Sequence, residues 1–387
     1  MDDLPQRMAE SGVSRCRGAA PSGLRSPCTT PRHRRDVRLN GQAIHLSEPK
    51  RCSDKPSHLS RRPLTSRAHA CLSRRMSDKL RIPGDAAISD RSSFLVVGGD
   101  SLVGGGTVAA LARRGLRTYV TTRRRDTLGH DRVFLDFEAS EPFRAPAGVG
   151  HAFLIAAATN YDRCEKDPTA RVLNEELIPR TVEALLSQGL SVSFISTNSV
   201  FGGDRPWPGE DDPHAPGIPY AAQKSNGEAV IRAAAERLGA TDRLGIVRLT
   251  KIMNAGVSPL PNWFAAWQRN AQVEPFEDLV FAPISVRFVG EALSTIGQAR
   301  AGGNLHLSGA ENVSYPAFAA ELARRLGVNQ TLIRPTTATT KGIHIAFKPR
   351  FSGLGMARTT EFTGLVPQPF ASLVDDIIAD KRQHDAA

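Results

Sequence analysis

The sequence predicts an α/β fold of the Rossmann type, a doubly wound parallel sheet with a smaller C-terminal subdomain. Two observations carry this. The stretch SFLVVGGDSLVGGGTVAALARRG, residues 93–115, runs from a short apolar strand through a glycine cluster into an apolar-periodic helix. Apolar runs of strand length then recur at RVFL, HAFLI and SVSFI, separated by longer segments. Strands alternating with helices predict parallel pairing, because each crossover needs a connection of helix length.

In the first unit, Phe94, Leu95, Val96 and Val97 form the continuous apolar run of a strand buried on both faces. Val108, Ala109, Leu111 and Ala112 follow at helical spacing, with Gly115 as the expected stop. The turn between them reads Gly98-x-x-Ser101-x-x-Gly104. Glycines at such a turn let the backbone approach a pyrophosphate, which sits at the helix N-terminus. Gly98, Ser101, Leu102, Val103 and Gly104 are therefore candidate cofactor contacts. Ser101 brings a side chain to the phosphates, either to donate a hydrogen bond or to crowd them.

The second strand, in LRTYVTTRRRD, ends at Arg123, Arg124 and Arg125. An acid at that strand end takes the adenosine ribose hydroxyls of NAD, whereas arginine suits the 2′-phosphate of NADP. Arg123 and Arg124 thus point to NADP(H), with NAD(H) as the alternative. In RVFLDFEAS, Asp136 stands where a carboxylate can accept from the adenine amino group, with Phe137 beside it. Ala156, Ala157 and Ala158 follow the fourth strand, and their small side chains leave room for a cofactor across the strand tips.

In SVSFISTNSVFGG, Ser196, Thr197 and Asn198 leave the fifth apolar run where strand C-termini meet the ligand crevice of an open sheet. About two dozen residues on, PYAAQKSNGEAVI places Tyr220 and Lys224 four apart, on one helical face. An ammonium stacked on a phenol would lower the phenol's pKa and let it exchange a proton near neutral pH.

Charge divides unevenly along the 387 residues. Residues 1–75 hold 16 Lys and Arg against 6 Asp and Glu, and the rest hold 34 against 33. Of the net charge of +11, +10 therefore belongs to the arm and +1 to the rest, and no nucleic acid is expected as a partner of the globular part. Residues 1–90 read as a disordered basic arm, rich in Arg, Ser and Pro and without apolar periodicity. Met76 is the expected true start. Residues 91–250 form the expected NAD(P)-binding domain, and residues 251–387 the mainly substrate-binding subdomain. Cys16, Cys28, Cys52 and Cys71 lie in the arm without the close spacing zinc prefers, so no metal is expected. Cys164 stands alone in the body, which suggests a reducing, cytoplasmic setting. No run of eighteen apolar residues predicts a membrane span.

Together these stretches resemble the extended short-chain dehydrogenase/reductases, and within them the dTDP-4-dehydrorhamnose reductase family. AAATNYDRCEKDP, VLNEELIPRT, ISTNSVFGG, YAAQKSNGEAVI, PNWFAAW, FAPISV and KPRFSGLG carry the resemblance in the family's order over roughly residues 94–370. It implies reduction of a keto group on a nucleotide-linked sugar by NADPH. Carried over position by position, Thr197 matches the catalytic hydroxyl, Tyr220 the proton donor, Lys224 the cofactor-gripping lysine and Asn174 an asparagine near the active site. Asn198, Asn262, Trp263 and Arg350 fall in regions that border the sugar-nucleotide pocket, Arg350 as a diphosphate contact. An NAD-dependent epimerase or dehydratase and a non-catalytic regulatory subunit share the fold and stay open as alternatives. The resemblance also leaves room for a homodimer.

Three stretches depart from the family pattern. Asn198 and Ser199 replace its Asp-Tyr after the catalytic hydroxyl. Lys348 to Gly355 lack the late Asp, and Phe281 replaces a glycine before Ala282-Pro283-Ile284.

Overall fold

The computed structural model describes residues 91–386. The basic arm, its cysteines and the start at Met76 lie outside the described residues.

Seven strands form one sheet: β1 (Ser93–Val97), β2 (Thr118–Thr122), β3 (Arg132–Phe134), β4 (Val149–Leu154), β5 (Ser191–Thr197), β6 (Leu244–Leu249) and β10 (Gly303–Leu307). Their order is β10-β6-β5-β4-β1-β2-β3, and every neighbouring pair is parallel. The chain runs outward from β1 in one direction, then returns to β4 on its other side. That reversal opens a crevice at the C-terminal strand ends, between β1 and β4. The doubly wound parallel sheet predicted from the sequence is the fold observed.

Helices cover both faces. α1 (Leu102–Arg113) and α7 (Val286–Ala299) pack on one, burying Phe94, Val96, Phe153, Val247 and Leu293. α4 (Ile178–Ser187) and α5 (Pro219–Arg237) cover the other, over Leu95, Val97, Leu154, Phe194 and Ile246. Alternate residues of one strand thus enter opposite cores, which is why β1 is apolar throughout. Between β4 and α4 lie the short helices α2 (Tyr161–Lys166) and α3 (Pro168–Val172), then a π-helical turn at Leu173–Leu177.

A second core forms beside the sheet's C-terminal edge. It gathers Trp263, Phe264 and Trp267 of α6 (Leu260–Gln268), Phe281 of β8 (Val280–Phe281), Phe318 and Leu322 of α8 (Tyr315–Leu326), and Leu373 and Ile377 of α10 (Phe370–Ala386). Two small ladders brace it: β7 (Ile252–Met253) parallel to β9 (Ile284–Ser285), and β8 antiparallel to β11 (Val313–Ser314). Helix α9 (Ala357–Thr363) packs back toward β10. The chain crosses between the two cores repeatedly. Residues 286–307 return to the sheet, although they lie beyond residue 250.

Candidate active site

Gly98 ends β1 at φ +92, a conformation that side chains disfavour, and a Cβ there would meet Ala156 N at 2.8 Å. At Gly104 a Cβ would stand 2.2 Å from Gly98 O. The two glycines therefore let the turn fold tightly under α1. Ser101 caps that helix: its Oγ accepts from Gly104 N at 3.1 Å and donates to Gly98 O at 2.7 Å. The hydroxyl's one hydrogen is thus committed to the turn, while the first-turn amides at Leu102 and Val103 keep no intrahelical acceptor. These are fitted to an anionic group.

A cleft of about 1730 Å³ runs from this turn along the strand tips to the second core. It is larger than a site for one drug-sized molecule needs, and has room for a dinucleotide together with a substrate. Gly98, Ser101, Leu102, Val103, Arg123, Arg124, Asp136, Phe137, Ala156 and Ala157 all line it, as do Thr197, Asn198, Tyr220 and Lys224. Gly104 and Ala158 stand behind the wall, both buried. Asp136 is exposed at the cleft and accepts from Glu138 N at 3.1 Å.

At the centre, Ile218 is extended and Pro219 opens α5, where its missing N–H costs no bond. Tyr220 and Lys224 then occupy successive turns on the inner face. Tyr220 and Thr197, at the tip of β5, line the same cleft, and the Tyr220 ring centroid lies 5.3 Å from that of Tyr161. Lys224 Nζ donates to Ile195 O at 2.8 Å and sits 4.0 Å from the centroid of the Phe194 ring. The expected tuning of the phenol by the ammonium is corrected here. Burial raises the Tyr220 pKa above its ordinary value, with Tyr161 adding to it and the Thr197 hydroxyl opposing it. Burial also lowers Lys224 to about 8, against the attraction of Glu228. Lys224 shares a face with Tyr220, but its ammonium is anchored on the strand below.

Asn174 lies in the π-helical turn and is buried. Its Oδ1 accepts from Ala158 N at 3.0 Å, and its Nδ2 donates to Ala158 O at 3.0 Å and Gln223 Oε1 at 2.9 Å. It therefore ties the exit of β4 to α5, one layer behind the cleft. Asn198 faces the cleft, but its Nδ2 is held by Ser352 O at 2.9 Å and Ser352 Oγ at 3.0 Å. The other three residues assigned to the substrate side are not brought to the cleft. Asn262 is exposed on α6, Trp263 is buried in the second core, and Arg350 is exposed with its guanidinium 5.2 Å from the Phe351 ring. Neighbouring residues on a helix point to different sides of its axis, so a motif's position does not by itself decide which of them faces a ligand.

Several wall residues were given no site role from the sequence. Asp100, inside the glycine turn, accepts from Arg132 at 2.6 Å and Thr122 at 2.9 Å, with Arg124 at 3.5 Å. Those contacts, Arg132 foremost, hold its carboxyl below the ordinary range. Phe281 stacks on Tyr315 with centroids 4.3 Å apart, and both line the far end of the cleft. Thr250 and Lys251, just past β6, line it too. The strand-tip rule that singled out Thr197 on β5 would have found them, had it been applied to β6.

A Rossmann sheet whose crevice gathers a glycine turn with Thr197, Tyr220 and Lys224 defines the extended short-chain dehydrogenase/reductase class. The chain belongs to the RmlD substrate binding domain family, which matches residues 92–383. It is 28% identical to a dTDP-4-dehydrorhamnose reductase of Streptomyces griseus over 286 residues, 69% of this chain and 87% of that one. Among solved structures, MoeE5 in complex with UDP-glucose and NAD aligns with a TM-score of 0.62 at 20% identity, over 76% of this chain and 99% of that one. The dTDP-4-dehydrorhamnose reductase of Bacillus anthracis in complex with NADP aligns with a TM-score of 0.62 at 18% identity, over 75% and 98%. At such identities these structures speak for the fold.

Proposed function

We propose that this chain reduces a keto group on a nucleotide-linked sugar, with NADPH as the preferred cofactor. The observation that carries the reading is the meeting of Thr197, Tyr220 and Lys224 in a cleft continuous with the glycine turn. Family membership and the Streptomyces griseus relative support the sugar class. Arg123 supports the cofactor preference: it lines the adenosine end with no ion pair among the described residues, while Arg124 is drawn to Asp100.

When bound, the nicotinamide supplies the hydride. Thr197 and Tyr220 donate to the substrate carbonyl oxygen, and the Tyr220 proton passes to it as charge develops there. A phenol held protonated by burial suits a donor rather than a resting tyrosinate. Lys224, anchored on Ile195 O, stabilises the tyrosinate left behind and the hydroxyls of the nicotinamide ribose. A dehydratase would need a carboxylate beside the catalytic hydroxyl, and the neighbours here are Asn198 and Ser199.

The test offers the full chain a panel of nucleotide-linked 4-keto sugars and follows NADPH oxidation, with NADH in parallel. Turnover on one member is the expected result. Tight NADPH binding with no turnover on any of them would defeat the reductase reading and favour a regulatory subunit.

A further inference from the structure

Thr250 is buried, and its Oγ1 meets no hydrogen-bond partner among the described residues. A hydroxyl left unpaired in a protein interior costs about 1–3 kcal/mol, so its occurrence on a cleft wall asks for a ligand. The next residue, Lys251, reaches the same cleft. Lys251 is exposed there and has no ion pair among the described residues. Backbone bonds fix both residues: Thr250 N donates to Leu307 O at 3.1 Å, and Lys251 O accepts from Ile284 N at 2.9 Å. Their place is set by the sheet register, since Leu249 pairs with Thr197. Thr250 and Lys251 therefore follow directly on the strand tip beside Thr197, on the wall of the same cleft.

We infer that Thr250 and Lys251 form a subsite for a carboxylate carried by the substrate beside its reacting carbonyl, so that the favoured substrate is an acidic nucleotide-linked sugar. The inference rests on the nucleotide-sugar reading above. An ammonium has only donors to offer, and a hydroxyl with no acceptor in reach has its hydrogen free. Two donors on consecutive residues of one cleft wall suit an acceptor-only group, which a carboxylate is and a sugar hydroxyl is not. Charge-assisted bonds of this kind are the stronger class.

The test measures dissociation constants of the full chain, saturated with NADP⁺, for UDP-glucuronic acid and UDP-glucose, and for the matching dTDP pair. Each pair differs only in carrying a carboxylate or a hydroxymethyl group. The acid is expected to bind roughly tenfold to a hundredfold tighter. In Lys251→Met the ratio falls toward one, and Lys251→Arg restores part of it. Thr250→Val lowers the ratio while leaving the melting temperature unchanged or raised, because its hydroxyl has no partner among the described residues to lose.

A ratio near one in the unmodified chain overturns the inference. So does a Lys251→Met variant that weakens acid and alcohol equally, which would place the ammonium on the diphosphate. If NADP⁺ binds and no nucleotide sugar does, the sugar-nucleotide reading is what fails. The subsite is then judged by acetylation of Lys251 in the presence of free glucuronate or glucose. Selective protection by glucuronate upholds the subsite, and equal labelling overturns it.

Discussion

Glu228 and Arg248 form a bidentate ion pair in the protein interior, with Nε 3.1 Å from one carboxylate oxygen and Nη2 2.8 Å from the other. Both are at most 1% exposed. Glu228 lies one turn beyond Lys224 on α5 and also accepts from Ser196 Oγ at 2.6 Å, the residue before Thr197. The pair thus clamps the helix that carries Tyr220 and Lys224 to the strand tips that carry Thr197.

Removing one partner of such a pair strands the other's charge in the interior. Glu228→Gln should therefore cost about 3–5 kcal/mol in denaturant unfolding. Turnover should fall with it, because α5 loses its register on β5. A variant as stable as the parent would show that the clamp is solvated in solution.

Tyr220→Phe removes the proposed proton donor and little else, since the ring keeps its packing against Tyr161. Turnover should drop by ~10²-fold or more, with NADPH affinity nearly unchanged. Steady-state kinetics beside a cofactor titration check both halves. An unchanged kcat would remove Tyr220 from the chemistry.

Asn174 acts through Ala158 and Gln223, so its loss should be felt first as stability. Asn174→Ala leaves the buried N–H of Ala158 unpaired, with only Cys164 Sγ at 3.4 Å still donating to its C=O, and should cost about 1–3 kcal/mol. Asn174→Asp keeps the acceptor for Ala158 N and should fall between. Equal losses in the two variants would argue against the hydrogen bonds as the cause.

His306 is held neutral in the interior. Arg248 can only donate to its Nε2, at 3.2 Å, so Nδ1 carries the hydrogen and donates to Gly355 O at 2.7 Å. Burial lowers its pKa to about 4, with the Arg248 charge adding to the effect. The unfolded chain therefore takes up this proton before the folded one does. Its contribution is intact above about pH 6.5 and is lost as pH falls toward 4. Thermal unfolding from pH 7 to 4 should show less acid sensitivity in His306→Phe than in the parent, measured relative to each protein's own value at pH 7.

The glycine turn and the helix it opens were legible in the sequence because their determinants are local. A strand, a glycine turn and a helix follow one another within residues 93–115, and only glycine accepts the φ of Gly98 and the close approach at Gly104. Thr197, Tyr220 and Lys224 were likewise visible, as a strand tip and one helical turn. What only the tertiary structure decided is where side chains point once distant segments meet. Asn262 and Trp263 are neighbours in sequence, yet one faces solvent and the other the second core, because α6 packs on α8 and α10. Asp100 owes its partners to β2 and β3, and Lys224 owes its anchor to Ile195 on β5. The phenol's raised pKa follows from burial that no spacing of Tyr and Lys encodes. Short-range geometry is written in residue order, while desolvation and hydrogen-bond partners depend on which surfaces the folded chain brings together.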